Sequence, residues 1–272
     1  MTFTRIFSPF LIAILLIISS CSSNIYNKFD DPILVKNILE VNDSIVKKDP
    51  VNLLIQPSPV NKFLGYPLGL AINNLANDNP DEKFRIWLEK NENRYNRLEK
   101  LITNKQIDQL KRYNNSFNDF LKNIGQEPIT INNTEIDKNI ERLKRFYDSK
   151  GYFDSNITYD SIVEFNQLTA KYSVETKERY LIDSITVNIE SKDLDSLYKA
   201  NISQSQIKKG EFFTIDKLIL ERDRLIKLFK NNGIYNFQQR SINYQVLIDS
   251  TGNLKKIPII LNVKNIDQET DY

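Results

Sequence analysis

Ile136-Asp137-Lys138-Asn139-Ile140-Glu141-Arg142-Leu143-Lys144-Arg145-Phe146-Tyr147 and Leu218-Ile219-Leu220-Glu221-Arg222-Asp223-Arg224-Leu225-Ile226-Lys227-Leu228-Phe229 read as one amphipathic helix written twice. Ile136, Leu143 and Tyr147 align with Leu218, Leu225 and Phe229, and only Ile140, opposite Arg222, breaks the apolar stripe. Thr134 and Asp216 stand at acceptable N-cap positions. Gly151 and Gly233 are expected to end the helices in the left-handed conformation that favours glycine. Each glycine leads into a pair whose second residue is aromatic, Tyr152-Phe153 and Ile234-Tyr235.

Outward from these helices the period changes to two. Leu168, Ala170, Tyr172 and Val174 alternate with polar residues, after a less regular strand through Phe153, Ile157 and Tyr159. In the second copy Ile242, Tyr244, Val246 and Ile248 alternate. A turn at Asp249-Ser250-Thr251-Gly252-Asn253 then leads to Ile257, Ile259, Leu261 and Val263. An opening strand precedes each helical region, through Ile33, Val35, Leu39 and Val41 in one copy and Leu181, Ile185, Val187 and Ile189 in the other. Each unit thus reads strand, helical region, capped helix, strand, strand. A three-stranded sheet with helices on one face covers the apolar side of such strands, so the fold class is α+β, in two tandem units.

The N-terminus is of another kind. Arg5 is followed by the mainly apolar run Ile6 to Ile18, shorter than the roughly 20 residues a membrane-spanning helix needs. A basic end and a short apolar core are the layout of a signal peptide. Ile18-Ser19-Ser20-Cys21 resembles a bacterial lipobox, which implies cleavage between Ser20 and Cys21 and lipid on Cys21. Cys21 is the one cysteine of the chain, so the processed protein has none left for an internal disulfide.

Composition narrows the chemistry. The chain has no histidine, which removes Ser-His-Asp and Cys-His nucleophile pairs, histidine bases and nearly every zinc site. Its seven glycines are scattered, with no phosphate-binding loop. Catalytic residues, metal ligands and cofactors are therefore expected to be none, and no small-molecule substrate is expected. The net charge of +2, with acids and bases interleaved, argues against a nucleic-acid partner. Arg85 to Arg112 is richer in Lys and Arg but carries Glu89, Glu92, Glu99 and Asp108 at helical spacing. Two readings are open for it, a solvated helix face or contact with anionic lipid headgroups.

The element order and the motif Phe146-Tyr147-x-x-x-Gly151-Tyr152-Phe153 resemble a POTRA domain, as does Leu228-Phe229-x-x-x-Gly233-Ile234-Tyr235 preceded by Gly210-Glu211-Phe212-Phe213. POTRA domains form the periplasmic arm of the BamA/TamA outer-membrane assembly family. The first unit carries a long, mainly helical insertion, about 56–128. It contains Leu64-Gly65-Tyr66-Pro67-Leu68, Asn79-Pro80-Asp81, Trp87-Leu88 and Gly125-Gln126-Glu127-Pro128. With the lipobox, these residues, Gly65, Pro67, Leu68 and Trp87 among them, resemble the lipidated TamL-like branch found in Bacteroidota.

That resemblance implies the following division: signal peptide 1–20, lipidated linker 21–32, POTRA-like domain 33–178, POTRA-like domain 179–266 and tail 267–272. It also implies an outer-membrane location, with the domains in the periplasm and the membrane reached through lipid on Cys21. Partners would be unfolded outer-membrane proteins or subunits of an assembly complex. Family members continue, usually through a further POTRA domain, into a sixteen-stranded barrel. The 272 residues hold no such series of strands, which leaves a piece of a longer protein or a barrel-less relative.

The second strand of a POTRA domain usually lies at a sheet edge, here Ile242, Tyr244, Val246 and Ile248, with Tyr152 to Val163 as its counterpart. An edge can accept an extended partner strand. The other function class is a stand-alone lipid-anchored binding or scaffold protein, acting through the insertion around Trp87. Phe84, Trp87 and Leu88 share a helical face and are expected to pack against the first unit.

Overall fold

The computed structural model describes residues 25–264 except 48, 91–96, 99 and 249–253. Ser20, Cys21 and the Asp249 to Asn253 turn lie outside the described residues. In chain order the elements are β1 (Ile33–Val41), β2 (Ser44–Ile45), α1 (Leu68–Asn73), α2 (Pro80–Glu89), α3 (Asn104–Ile124), α4 (Asn133–Ser149), β3 (Asn156–Glu164) and β4 (Gln167–Glu175), then β5 (Leu181–Ile189), α5 (Lys192–Ala200), α6 (Ile215–Asn231), β6 (Ile242–Val246) and β7 (Lys256–Val263). The fold is α+β, with one sheet in the order β2-β1-β4-β3 and a second in the order β5-β7-β6. The described residues contain no closed barrel.

The first sheet has a fourth, two-residue strand beyond the three expected. Asn42 and Asp43, at φ +48° and +61°, turn the chain so that β2 pairs back on β1, Val41 opposite Ser44. Asn and Asp tolerate the left-handed region better than other non-glycine residues, which is why two such residues can make this tight turn.

Two compact units are formed. Among the described residues one comprises 25–38, Gln56–Ile136 and Tyr159–Lys171; the other comprises Leu39–Ile55, Asp137–Thr158 and 172–264. In the second unit β7 is the central strand, parallel to β5 and antiparallel to β6. Its alternating Ile257, Ile259, Leu261 and Val263 are fully buried. They meet Leu194 and Tyr198 of α5 and Leu218, Leu225 and Phe229 of α6. Each such side chain contributes about 1.5–3 kcal/mol by leaving water.

The two capped helices agree with each other more closely than their sequences suggest. The N-caps are Asn132 and Thr214, two residues before Thr134 and Asp216. Asn132 Oδ1 accepts from Glu135 N–H at 2.9 Å, and Thr214 Oγ1 accepts from Lys217 N–H at 3.3 Å. Thr134 and Asp216 fall inside the first turn, where their own N–H groups are among those needing a cap. The buried stripes are Asn139, Leu143, Tyr147 and Leu218, Glu221, Leu225, Phe229. A polar residue therefore occupies the same place in both helices, one position before Ile140 and Arg222, and each is satisfied. Asn139 Nδ2 donates to the Tyr172 hydroxyl and Oδ1 accepts from Arg142, both at 2.8 Å. Glu221 accepts from both nitrogens of an Arg224 fork, at 2.6 and 2.9 Å, and from Gln206 N–H at 2.8 Å.

In the first unit, α1 lies against the C-terminal end of α3. A Cβ on Gly125 would come within 2.7 Å of the Asn73 backbone, and Gln126 N–H donates to Gly69 O at 2.9 Å. The face that α3 turns toward α2 and its approach is mainly polar around one buried isoleucine, Ile107: buried Asn118 bonds Asn77, and Asn115 and Lys111 both reach Asp81. Its outward face is apolar. Leu110, Tyr113, Phe117, Phe120 and Ile124 fall at helical spacing, and all are exposed.

Trp87 departs from expectation. It is 46 % exposed and lies beside Phe84, ring centroids 5.7 Å apart and planes tilted by 31°, while Phe84 and Leu88 are half-buried. Helix α2 packs mainly on α3, where Phe84 and Leu88 share a groove with the buried Ile107 and Trp87 lies outside that groove's lining.

Candidate functional site: the open sheet edges

Backbone direction along β6 follows from its ladder. Leu247 N–H donates to Pro258 O, and Lys264 N–H donates to Ser241 O. Residues 241, 243, 245 and 247 therefore face β7, and the alternate residues face away. Ile242 spends its N–H on Gln239 O in the preceding turn. Tyr244 and Val246 are left with outward N–H and C=O groups at the edge of the sheet. Ile248 lies beyond the end of β6, so the expected four-residue edge is shorter than its alternating pattern. Pro258 explains where it stops: opposite Leu247 it has no N–H to return.

The side chain behind this edge is poorly satisfied. The Tyr244 hydroxyl and Arg222 Nε are buried without a hydrogen-bond partner, and the Arg222 guanidinium lies 5.5 Å from the Tyr244 ring centre. Burial, reinforced by the Glu221 carboxylate, pushes the Tyr244 phenol above its ordinary range.

The opposite edge of the same sheet was not singled out from the sequence. The start of β5 is covered: Ile182 N–H donates to Glu211 O, and Gly210 and Phe213 N–H donate to Ile182 and Tyr180 O. Further on, Glu190 N–H donates to Val263 O, which places residues 184, 186 and 188 toward β7 and turns Ile185, Val187 and Ile189 outward. Ile185 and Val187 also line a groove of about 270 Å³ with Tyr198, Ile202 and Ile207. Counting edges would have found it, since any open three-stranded sheet has two. In the first sheet β3 lies at the edge, as expected for the counterpart strand, although Tyr152 and Phe153 precede it in a turn. Most of its side chains are exposed and include Asp160 and Glu164, charges that discourage indiscriminate pairing.

The glycine motifs belong to packing. Tyr147 and Phe229 are buried, Gly151 and Gly233 have φ +90° and +93°, and Tyr152 and Ile234 N–H donate back to Tyr147 and Phe229 O. Phe153 sits between the rings of Tyr180 and Phe213, each 5.3 Å away, whereas Tyr235 is 78 % exposed. Asp154 beside them bonds Lys255 and accepts from the Tyr180 hydroxyl at 3.1 Å, and the Lys255 ammonium holds its carboxyl below the usual range. In the insertion, Gly65 has φ +83°, Pro67 is buried at the start of α1 and Leu68 is exposed. The structure does not gather these with Trp87 into one pocket. Among the described residues no group of carboxylates could hold a metal ion, and no helix is long and apolar enough to cross a membrane.

No family model matches the sequence. Over 146 residues, 53 % of the chain, it is 26 % identical to the outer membrane protein assembly factor BamA of Buchnera aphidicola subsp. Acyrthosiphon pisum (strain APS), and the match spans 22 % of that protein. Solved structures similar to it include Haemophilus influenzae BamA POTRA3-5, at 14 % identity over 50 % of this chain and 51 % of that one, TM-score 0.30. Another is POTRA1-3 of the periplasmic domain of Omp85 from Anabaena, at 12 % identity over 86 % and 66 %, TM-score 0.27.

Proposed function

We propose that the chain is the lipid-anchored periplasmic arm of a BamA/TamA-type outer-membrane assembly factor of the TamL-like branch from Bacteroidota. In this reading it comprises POTRA-like domains 33–178 and 179–266 and is held to the outer membrane by lipid on Cys21. Its role is to bind unfolded outer-membrane proteins or assembly subunits by strand addition, without catalysis. The lipobox and the similarity to BamA support the setting. The observation that carries the binding mode is the pair of outward backbone groups at Tyr244 and Val246. Unfolded barrel proteins are runs of alternating strand, and main-chain bonds hold such runs without reading their side chains.

Proline at Val246 removes one outward donor and leaves the β7 ladder intact, whereas proline at Gln245 breaks the ladder. Val246→Pro should weaken binding of a barrel-derived peptide about fivefold, for a hydrogen bond of ~1 kcal/mol, with an unchanged circular dichroism spectrum. Unchanged affinity in that folded variant refutes pairing at β6. Cys21→Ala should abolish palmitate incorporation; equal labelling of variant and wild type refutes the anchor.

Exposure of Trp87 favours a second reading, a stand-alone lipid-anchored binding protein that uses its insertion. Trp87→Ala separates the two, because it should leave strand addition untouched.

A further inference from the structure

We infer that the turn at Leu64-Gly65 and the outward stripe of α3 form a membrane-contacting surface that inserts into the headgroup–acyl boundary of the bilayer. The inference rests on the reading of Cys21 as the lipidated residue. Phe63 and Tyr66 exchange both backbone bonds across a two-residue turn, with φ +49° at Leu64 and +83° at Gly65. Asn, Asp or Gly makes such a turn at little cost, so a leucine there is strained, and Leu64 is also 89 % exposed. Phe63 beside it is 67 % exposed, with Lys62 preceding it. An apolar tip next to a basic residue is what an anionic lipid surface accepts.

The stripe on α3 is no misplaced core. Its helix is oriented by the polar contacts of Asn118, Asn115 and Lys111, and these leave Phe117, Phe120 and Ile124 outside. The turn and the stripe share one support. Asn61 N–H donates to Gln126 Oε1 at 2.8 Å, joining the base of the turn to a residue two positions past the end of α3. Gln126 in turn bonds α1, whose Leu70 packs with Ile25 and Tyr26. Residues 22–24 alone separate Ile25 from Cys21, a reach of at most about 14 Å. A lipid on Cys21 therefore keeps this assembly within a short distance of the bilayer surface, which selects lipid over a soluble partner as its occupant.

The test uses the mature chain with Cys21→Ser, carrying no lipid, and vesicles of phosphatidylethanolamine and phosphatidylglycerol. The unlipidated chain should co-sediment with them. Phe63→Ser with Leu64→Asn should lower that partition at least tenfold, and Asn at 64 keeps the turn. Phe117→Ser with Phe120→Ser should do the same, with circular dichroism unchanged throughout. No co-sedimentation, or partition equal in wild type and both variants, overturns the surface, as does self-association in solution that the α3 variant abolishes. Because the assay carries no lipid on the protein, its failure is distinct from a failure of palmitate labelling at Cys21.

Discussion

Gly151 and Gly233 end their helices with nearly equal φ and the same pair of returning backbone bonds, yet their surroundings differ. A Cβ added at Gly151 would lie 2.7 Å from Phe213 O, and one added at Gly233 would meet nothing within 4 Å. The aromatic two residues after each glycine differs likewise, with Phe153 held between Tyr180 and Phe213 and Tyr235 exposed. The cap is a local code and repeats faithfully. What it packs against is set by the element that follows, and the first cap is received by the loop before α6 and by the second sheet. Tyr180 N–H donates to Gly151 O, Arg179 donates to Lys150 O, and Lys150 pairs with Asp216.

This contrast can be broken by mutation. The largest effect is expected where the two helices carry their equivalent buried polar residues. Glu221→Ala leaves Arg224 half-buried without its carboxylate and should cost about 3–5 kcal/mol in urea denaturation. Asn139→Ala loses its bonds to the Tyr172 hydroxyl and to Arg142 but leaves no unpaired carboxylate partner in the core, and should cost roughly 1–3 kcal/mol. Equal losses would show that the two stripes are energetically alike. Next, Phe153→Ala should destabilise by about 3 kcal/mol, whereas Tyr235→Ala should stay within about 0.5 kcal/mol. Gly233→Ala should cost about 1 kcal/mol from left-handed strain alone, and Gly151→Ala roughly 1 kcal/mol more because Phe213 must move.

The smallest effect is one of pH. The Asp154 carboxyl is held below its ordinary range in the folded protein by Lys255. Its contribution is therefore present above the unfolded carboxylate pKa of about 4 and is lost as pH falls through the lower folded value. Asp154→Asn should be less stable than wild type at neutral pH, and the gap should close in acid. A gap that persists unchanged at the acid end would rule out the ion pair as its cause.

Much of the fold was legible because its strands alternate and its helices end in glycine. β1, β4, β5 and β7 lie where period two placed them. The caps were misplaced by two residues because Thr134 and Asp216 have cap-forming side chains, whereas N–H geometry favours Asn132 and Thr214. The polar members of the buried stripes were hidden for a related reason. An apolar stripe assigns Ile140 rather than Asn139 to the buried face, although Asn139-x-x-Arg142 and Glu221-x-x-Arg224 recur at the same offset. The insertion was the least legible part. Amphipathicity tells that α3 has an apolar face but not that its more polar face, with Ile107 and Asn118 buried, packs inward, and the same pattern does not show that Trp87 stays exposed. At the candidate edge, the strand was visible and its direction was not, because which N–H groups point outward depends on the register with β7.

The most direct test follows residue-resolved amide hydrogen exchange with and without a peptide of alternating barrel strand. Strand addition at β6 predicts new protection at Tyr244 and Val246 and little change at Gln245, which is already bonded into the ladder. Protection at Ile185 and Val187 instead, or no change at either edge on a peptide that binds, would contradict it.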